Sequence, residues 1–170
     1  MSDDELAKAS KGTVRTDGRG QDPFLFHALE GTEYRTKIST LRGYEKDGSM
    51  RHISILCGNN ALFLDFEMER GADGANTGYC FPDMLVDVVR LSSEGKRDEA
   101  HDLFDAHLPL IRYEQQPGPG LAVRKYVMMK RGILSHDTLR KPGAALSAVA
   151  RAEVDYLLSR VARVDARARV

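Results

Sequence analysis

Between residues 53 and 82, the pattern of hydrophobic and polar positions predicts a strand, a helix and a second strand in succession. The first apolar run, ISILC, is too short for a helix and rich in β-formers, and Gly58 ends it. Asn59 or Asn60 is then placed to cap a helix. A strand–helix–strand unit of this length predicts a parallel sheet with a right-handed crossover. The predicted elements are a strand at 53–57, a helix from Ala61 to about Arg70 and a strand at 75–80.

The rest of the chain predicts one more strand and a series of helices. The strand lies near residues 24–29, so the sheet has three parallel strands and the fold class is α/β. Apolar residues then recur with a helical period, for example in a stripe that includes His107 and Ile111. We expect the last arginines, Arg163, Arg167 and Arg169, to be solvated. The predicted helices are Thr36 to about Lys46, Pro82 to Gly95, Arg97 to Tyr113, Leu121 to Lys130 and Ser147 to about Val164.

Composition fits one soluble globular domain. The chain has 170 residues, of which 42% are hydrophobic and 29% charged, with a formal net charge of zero. This neutral balance favours neither nucleic acid nor membrane as a partner. The N-terminus lacks the apolar stretch of a signal peptide, so we expect a cytoplasmic protein with Cys57 and Cys80 as reduced core thiols. Three parts are expected: a polar, disordered segment at 1–22, βα units at 23–96 and a helical region at 97–170.

Motifs for metal or cofactor binding do not appear in this sequence, so neither is expected. His101 and His107 share a predicted helix but lie six residues apart, on different faces, which does not favour a zinc pair. No CxxC, P-loop, GxGxxG or Ser-His-Asp order occurs.

Several features in order resemble the dihydrodipicolinate synthase and N-acetylneuraminate lyase family. A strand ends in Gly58-Asn59, a helix follows, and Gly71-Ala-Asp-Gly74 leads into a strand closed by Pro82. The stretches PGPGLAVRK at 117–125 and RKP…ALS at 140–147 are similar to the helical C-terminal extension of that family. The resemblance runs from about Leu29 to Val164. It implies a partial (β/α)8 barrel of about three C-terminal βα units, followed by that extension, without the first strands.

The resemblance also implies a chemistry, in which a lysine on a barrel strand forms a Schiff base with pyruvate. Counting back from Lys37-Ile38-Ser39 places Ala28 at the position of that lysine. Alanine has no amine, and no lysine occurs between Lys11 and Lys37. Lys37 is a weak substitute, because it lies at the start of a predicted helix. His27 lies beside Ala28 on the strand and points to the other side, which favours a packing role.

Four residues at the predicted strand ends are candidates for substrate binding, since barrel sites lie at the carboxyl ends of the strands. They are Gly58, Asn59, Asn76 and Thr77. A structural interpretation is also open for each. Gly58 would allow a tight turn, Asn59 would cap a helix, and Asn76 or Thr77 would bind neighbouring backbone.

Two functional interpretations follow. The first is a pyruvate-dependent Schiff-base lyase or aldolase, impaired by the loss of the lysine, with a small 2-keto acid as its substrate. The second is a non-catalytic remnant that keeps the oligomerisation surface of such a barrel. Both predict a homo-oligomer, because an open parallel sheet leaves edges and one face uncovered.

Overall fold

The sheet has three parallel strands in the order β1–β2–β3, which confirms the predicted strand direction. A computed structural model describes residues 26–27, 34–141, 143 and 145–170. The strands are β1 (Phe26–His27), β2 (Ile55–Cys57) and β3 (Gly74–Ala75). The N-terminal segment 1–22 and Ala28 lie outside the described residues, as does the remainder of the strand predicted at 24–29.

Six α-helices accompany these strands in the described part of the chain. The predicted helices are confirmed in number and order, with small shifts at their ends. Pro82 occupies the first turn of its helix, where the missing N–H costs nothing. Ser147 caps the last helix by accepting a hydrogen bond from the Ala150 N–H at 3.1 Å. The helices are α1 (Tyr34–Lys46), α2 (Leu64–Glu69), α3 (Pro82–Ser93), α4 (Arg97–Glu114), α5 (Gly120–Lys130) and α6 (Ala148–Val161).

The third strand is much shorter than the predicted 75–80. The Asn76 N–H still reaches the Cys57 carbonyl at 2.9 Å, but the chain then leaves the sheet. The Gly78 carbonyl accepts from Arg124 and the Cys80 N–H donates to Glu114. Because side chains of the C-terminal helices take these backbone groups, they are no longer available for a strand ladder.

The turn after β2 also differs from the prediction that Asn59 or Asn60 caps a helix. Neither side chain caps a helix, and α2 begins only at Leu64. Instead Asn59, Asn60 and Ala61 have φ values of 50°, 54° and 61°, which form one left-handed turn. Asn tolerates this conformation better than most residues, because its short side chain can hydrogen-bond locally. Here the two side chains are held by α4 and α5, as described below.

The hydrophobic core lies between the helix-facing side of the sheet and α1–α6. Ile53, Ile55 and Cys57 alternate into it from β2 and its approach, whereas Leu56, facing the other side, is half-buried. Both cysteines are free and buried, as predicted. None of the helices in the described residues has both the length and the hydrophobicity needed to cross a lipid bilayer.

The end of the chain folds back onto this core, so the prediction of solvated terminal arginines is wrong for Arg167. Its guanidinium pairs with Asp165 at 2.8 Å and with Asp87 of α3 at 2.7 Å. The next residue, Ala168, is buried. Asp165 fixes the turn by accepting from the Arg167 backbone N–H at 2.9 Å.

Candidate functional site

The four predicted substrate-binding residues follow β2 and β3 at the same edge of the sheet. Cys57 is paired with Ala75, so Gly58 and Asn76 come next on adjacent strands. Gly58 is buried and extended, with φ −106° and ψ −150°, a conformation open to any residue. The left-handed turn that was expected to need a glycine is formed by the residues after it.

Asn59 lies at this edge with its side chain tied to α4. The Gln115 amide, one residue past the end of α4, donates to the Asn59 side-chain oxygen. Asn59 is otherwise exposed. The bond fixes the direction of the asparagine and links the strand-end turn to the C-terminal helices.

A buried carboxylate organises the space beneath this turn. Glu114, whose side chain is fully buried, accepts from Arg124 Nε at 2.6 Å and from the Cys80 N–H at 3.0 Å. The Asn60 amide nitrogen lies 3.4 Å from the same Oε1 atom that Arg124 contacts. Arg124 also donates to the Asn60 side-chain oxygen at 2.9 Å and to the Gly78 carbonyl at 2.8 Å. We call these five residues the Glu114 cluster.

Gly78 belongs to the cluster because of its size. A Cβ atom at this position would lie 2.3 Å from Arg124 Nη1, well inside contact distance. A larger residue would therefore require the Arg124 guanidinium to shift from the position in which it binds the Gly78 carbonyl and Glu114 together.

The electrostatics of the cluster reflect burial opposed by one cation. Burial raises the pKa of the Glu114 carboxyl above its ordinary value, and the Arg124 guanidinium works against that rise. Burial, and then the Glu114 charge, raises the pKa of the Cys80 thiol well above its ordinary value. This raised pKa favours the neutral thiol of Cys80 over the nucleophilic thiolate.

Asn76 and Thr77 complete the strand-end edge. Asn76 is exposed, and Thr77 is partly buried, with a hydroxyl oxygen that is buried and has no hydrogen-bond partner among the described residues. Their predicted role in binding substrate stays a prediction.

A nucleophilic amine is not found at this edge in the described part of the chain. Ala28, the position that corresponds to the Schiff-base lysine, lies outside it, and the side chain of His27 is likewise not described. Lys37 lies in the first turn of α1. Lys130 is far along α5, where its hydrogen bond to Asp155 at 2.8 Å raises the pKa of its ammonium group.

A second polar network lies deeper, between the loop after β3, α4 and the C-terminal turn. His107 is fully buried, with Nδ1 2.9 Å from the Tyr79 hydroxyl and Nε2 3.0 Å from Asp165. Burial lowers the pKa of His107, although the bond to Asp165 opposes this. Burial alone would raise the pKa of Asp165, but the bonds from Arg167 outweigh it and the pKa is lowered. All three side chains of this triad are buried, which favours a structural role over a site for a substrate.

His101 does not join His107 in a metal site. Its Nε2 lies 2.7 Å from Glu69 and its Nδ1 lies 3.3 Å from Asp65, both on α2. Burial raises the pKa of Asp65. Among the described residues, His, Cys, Asp and Glu side chains nowhere gather in a group of three suited to a metal ion.

Sequence reasoning missed Glu114 and Arg124. A signal for Glu114 was present, because residues 107, 111 and 114 continue one buried helical stripe. A carboxylate at a position that the period predicts to be buried requires a cation nearby. Nothing in the sequence identifies Arg124 as that cation, ten residues further on.

Comparison with known proteins finds relatives of this chain. No family model matches the chain. It is 71% identical to a dihydrodipicolinate synthase from Rhodopseudomonas palustris of known structure, with a TM-score of 0.74, over 78% of this chain and 44% of that one. A dihydrodipicolinate synthase from Oceanobacillus iheyensis shares the fold, with a TM-score of 0.61 and 20% identity, over 74% of this chain and 42% of that one.

A curated relative agrees with the two structures. The chain is 33% identical over 108 residues to L-2-keto-3-deoxyarabonate dehydratase from Azospirillum brasilense. Those residues make up 64% of this chain and 34% of that protein. The chain thus spans less than half the length of the relatives it matches. It corresponds to part of a protein of the dihydrodipicolinate synthase family.

Proposed function

We propose that this chain forms one side of a pyruvate-type Schiff-base lyase barrel, with its helical support, and has no lyase activity by itself. The three parallel strands and their helices would be the last βα units of a (β/α)8 barrel. The 71% identity to a dihydrodipicolinate synthase supports this fold. The dehydratase relative is named for L-2-keto-3-deoxyarabonate, which supports a small 2-keto acid as the ligand class.

The absent lysine carries the proposal that the chain is inactive. In this chemistry, an unprotonated amine attacks the keto carbonyl to form a carbinolamine, which loses water to leave an iminium bond. The amine must lie at a dry strand end with a lowered pKa. The sequence has no lysine from residue 12 to residue 36, and Lys130 has a raised pKa. No amine on these strands is available for the first step.

The Glu114 cluster supports the structural side of the alternative interpretation, a non-catalytic remnant of a barrel. Glu114 and Arg124 bind each other, Asn60 and the loop after β3, so the charged groups next to the strand ends are already paired. Paired in this way, Glu114 and Arg124 hold α4 and α5 to the sheet edge. At the described ends of β2 and β3, Asn76, Thr77 and the outer side of Asn59 are left as candidates for a ligand.

Borohydride trapping tests catalysis directly. The chain is incubated with pyruvate and sodium borohydride, which reduces any iminium to a stable amine, and is then digested and analysed by mass spectrometry. We expect no pyruvyl adduct on any peptide. The Rhodopseudomonas palustris dihydrodipicolinate synthase, treated in parallel, is the matched positive control. A single adduct at Lys37 or at another lysine would contradict the proposal and identify the active amine.

The variant Ala28→Lys tests whether the chain lacks only the amine or also the site around it. An adduct at the new lysine, absent from the parent chain, would show that this half of the barrel can place and desolvate an amine. Turnover is still not expected, since the resemblance covers about three C-terminal βα units and leaves out the first strands of the barrel.

A further inference from the structure

The short helix α2 buries acidic side chains where a wide apolar face would be expected. It has six residues, far fewer than the roughly 12–15 at which an isolated helix becomes marginally stable in water. Its buried residues are Leu64, Asp65 and Glu67, and only the first of these is apolar. Because buried carboxylates need hydrogen-bond donors or cations, the position of α2 depends on polar contacts with its neighbours.

His101 of α4 makes two of those contacts, one with each ring nitrogen. Its Nε2 lies 2.7 Å from Glu69 Oε1, and its Nδ1 lies 3.3 Å from Asp65 Oδ2. The ring of Phe66, also on α2, packs edge-on against the imidazole, with the ring centroids 5.4 Å apart. Three side chains of α2 therefore contact one histidine, whose side chain is 22% exposed.

The two contacts together require a charged imidazole. An ionised carboxylate only accepts hydrogen bonds, so both ring nitrogens must carry a hydrogen, and a neutral imidazole carries one. Glu69 has a second cation, because Arg97 also pairs with it, whereas Asp65 is paired with no other cation in the described part of the chain. Loss of the His101 proton therefore leaves the buried Asp65 carboxylate without a cation, whichever nitrogen keeps the remaining hydrogen.

The surrounding charges act in the same direction. Burial raises the pKa of Asp65, against the charge of His101 and with that of Asp105. The folded chain thus holds a proton on Asp65 more readily than the unfolded chain does, which also favours the docked helix at lower pH. From α3 and the turn after it, Ser92 and Gly95 line this space, and neither carries a charge. The charged groups that line the two hollows beside the imidazole are Asp65, Glu69, Arg97, Asp105 and Arg112.

We propose that His101 holds α2 against α4 in a pH-dependent way, so that α2 is docked while the imidazole is charged and loosens when the imidazole is neutral. The left-handed turn at Asn59–Ala61, shortly before α2, is held by α4 and α5. The helix therefore moves about a turn that stays in place. The proposal concerns the support of the strand-end edge and not the Schiff base, so it succeeds or fails independently of the borohydride result.

Hydrogen exchange of the full chain, followed by mass spectrometry, provides the experiment. It is carried out between about pH 5 and 8, the range in which histidines change charge. Amide exchange is itself faster at higher pH, so each measured rate is compared with the intrinsic rate at that pH to give a protection factor. Peptides from α2 should lose about tenfold or more of their protection as the pH rises, since a buried acceptor loses its partner. Peptides from α6 should keep theirs.

Two variants make the test specific. Asp65→Asn removes the need for the extra proton, because its amide donates to a neutral Nδ1 while Nε2–H donates to Glu69; D65N should keep α2 protected throughout the range. His101→Gln never carries the charge, so H101Q should be less protected than the parent chain at the acidic end. The matched control is His52→Gln, since His52 contacts Glu45 at 3.1 Å, outside the residues around His101. H52Q should behave as the parent chain does.

Proton NMR connects the change to one histidine. The Cε1 proton resonance of His101 is assigned by its absence from H101Q, and its titration midpoint should coincide with the midpoint of the change in α2 protection. Protection of α2 that does not vary with pH in the parent chain would overturn the proposal. So would a D65N variant that loses protection as the parent chain does, an H101Q variant as protected as the parent chain at the acidic end, or an H52Q variant that abolishes the change.

Discussion

Replacing Arg124 by Met tests whether the Glu114 cluster holds the helices to the sheet edge. Methionine keeps most of the volume of the stem but removes the guanidinium and its three hydrogen bonds, to Glu114, Asn60 and the Gly78 carbonyl. It leaves the Glu114 carboxylate, whose side chain has no exposed surface, without a cation.

The expected loss of stability comes mainly from that stranded carboxylate. Removing one partner of a buried ion pair costs about 3–5 kcal/mol. Arg124 is 27% exposed, so solvent screens part of its interaction and we expect about 3 kcal/mol. For a domain of this size, 3 kcal/mol lowers the melting temperature by about 6–12 °C.

The pH dependence identifies the cause. Burial raises the pKa of Glu114 in the folded state, so the folded chain binds its proton more readily than the unfolded chain does. Stability therefore increases as the pH falls through the raised pKa, and it decreases as the pH rises. Without the guanidinium, the pKa rises further. The deficit of R124M should be largest near neutral pH and should shrink as the pH falls through the raised pKa, because the carboxyl then becomes protonated.

Urea denaturation at several pH values, followed by circular dichroism, provides the measurement. E114Q/R124M should be more stable than R124M alone at neutral pH, because the uncompensated charge is gone. The control Arg163→Met, at an exposed position, should change stability by less than about 0.5 kcal/mol. If R124M unfolds at the same urea concentration as the control, or if its loss of unfolding free energy does not change with pH, the cluster does not stabilise the fold in the way described.

Three further predictions concern other buried groups. Burial lowers the pKa of His107, so the stability contributed by the neutral imidazole is present above about pH 6.5 and is lost as the pH falls. H107Q should therefore flatten the acid limb of a curve of unfolding free energy against pH. An unchanged acid limb would contradict this. Gly78→Ala should destabilise by about 2 kcal/mol, because its Cβ displaces the Arg124 guanidinium from its hydrogen bonds. Gly43→Ala, in open space within a helix, should stabilise slightly in calorimetry, and equal effects of the two changes would refute the close approach at Gly78. Burial raises the pKa of the Cys57 and Cys80 thiols, so a disulfide reagent should label both cysteines only in denaturant. Rapid labelling of the native chain would show that the two thiols are accessible.

The helices were predictable because their signals are local. The stripe that contains His107 and Ile111 indicates which face of α4 is buried, and Pro82 and Ser147 mark where two helices begin. The direction of the strands followed from the length of the connection between the second and third.

Long-range polar contacts account for what the sequence could not predict. The segment 75–80 has the composition of a strand, but Arg124 and Glu114 bind its backbone groups from 46 and 34 residues away. Asn59 and Asn60 have the composition of helix caps, but partners on α4 and α5 hold them in a left-handed turn. A periodic pattern identifies buried positions, and it does not state which polar groups will meet there.

The C-terminal turn also affects when the core can form during synthesis. Asp165 binds His107, and Arg167 binds Asp87, so His107 waits for a partner that is made 58 residues later. While Asp165 is still within the ribosome, the Nε2 atom of His107 lacks its carboxylate partner. We expect the nascent chain to stay open and accessible to chaperones until residues through 168 have emerged.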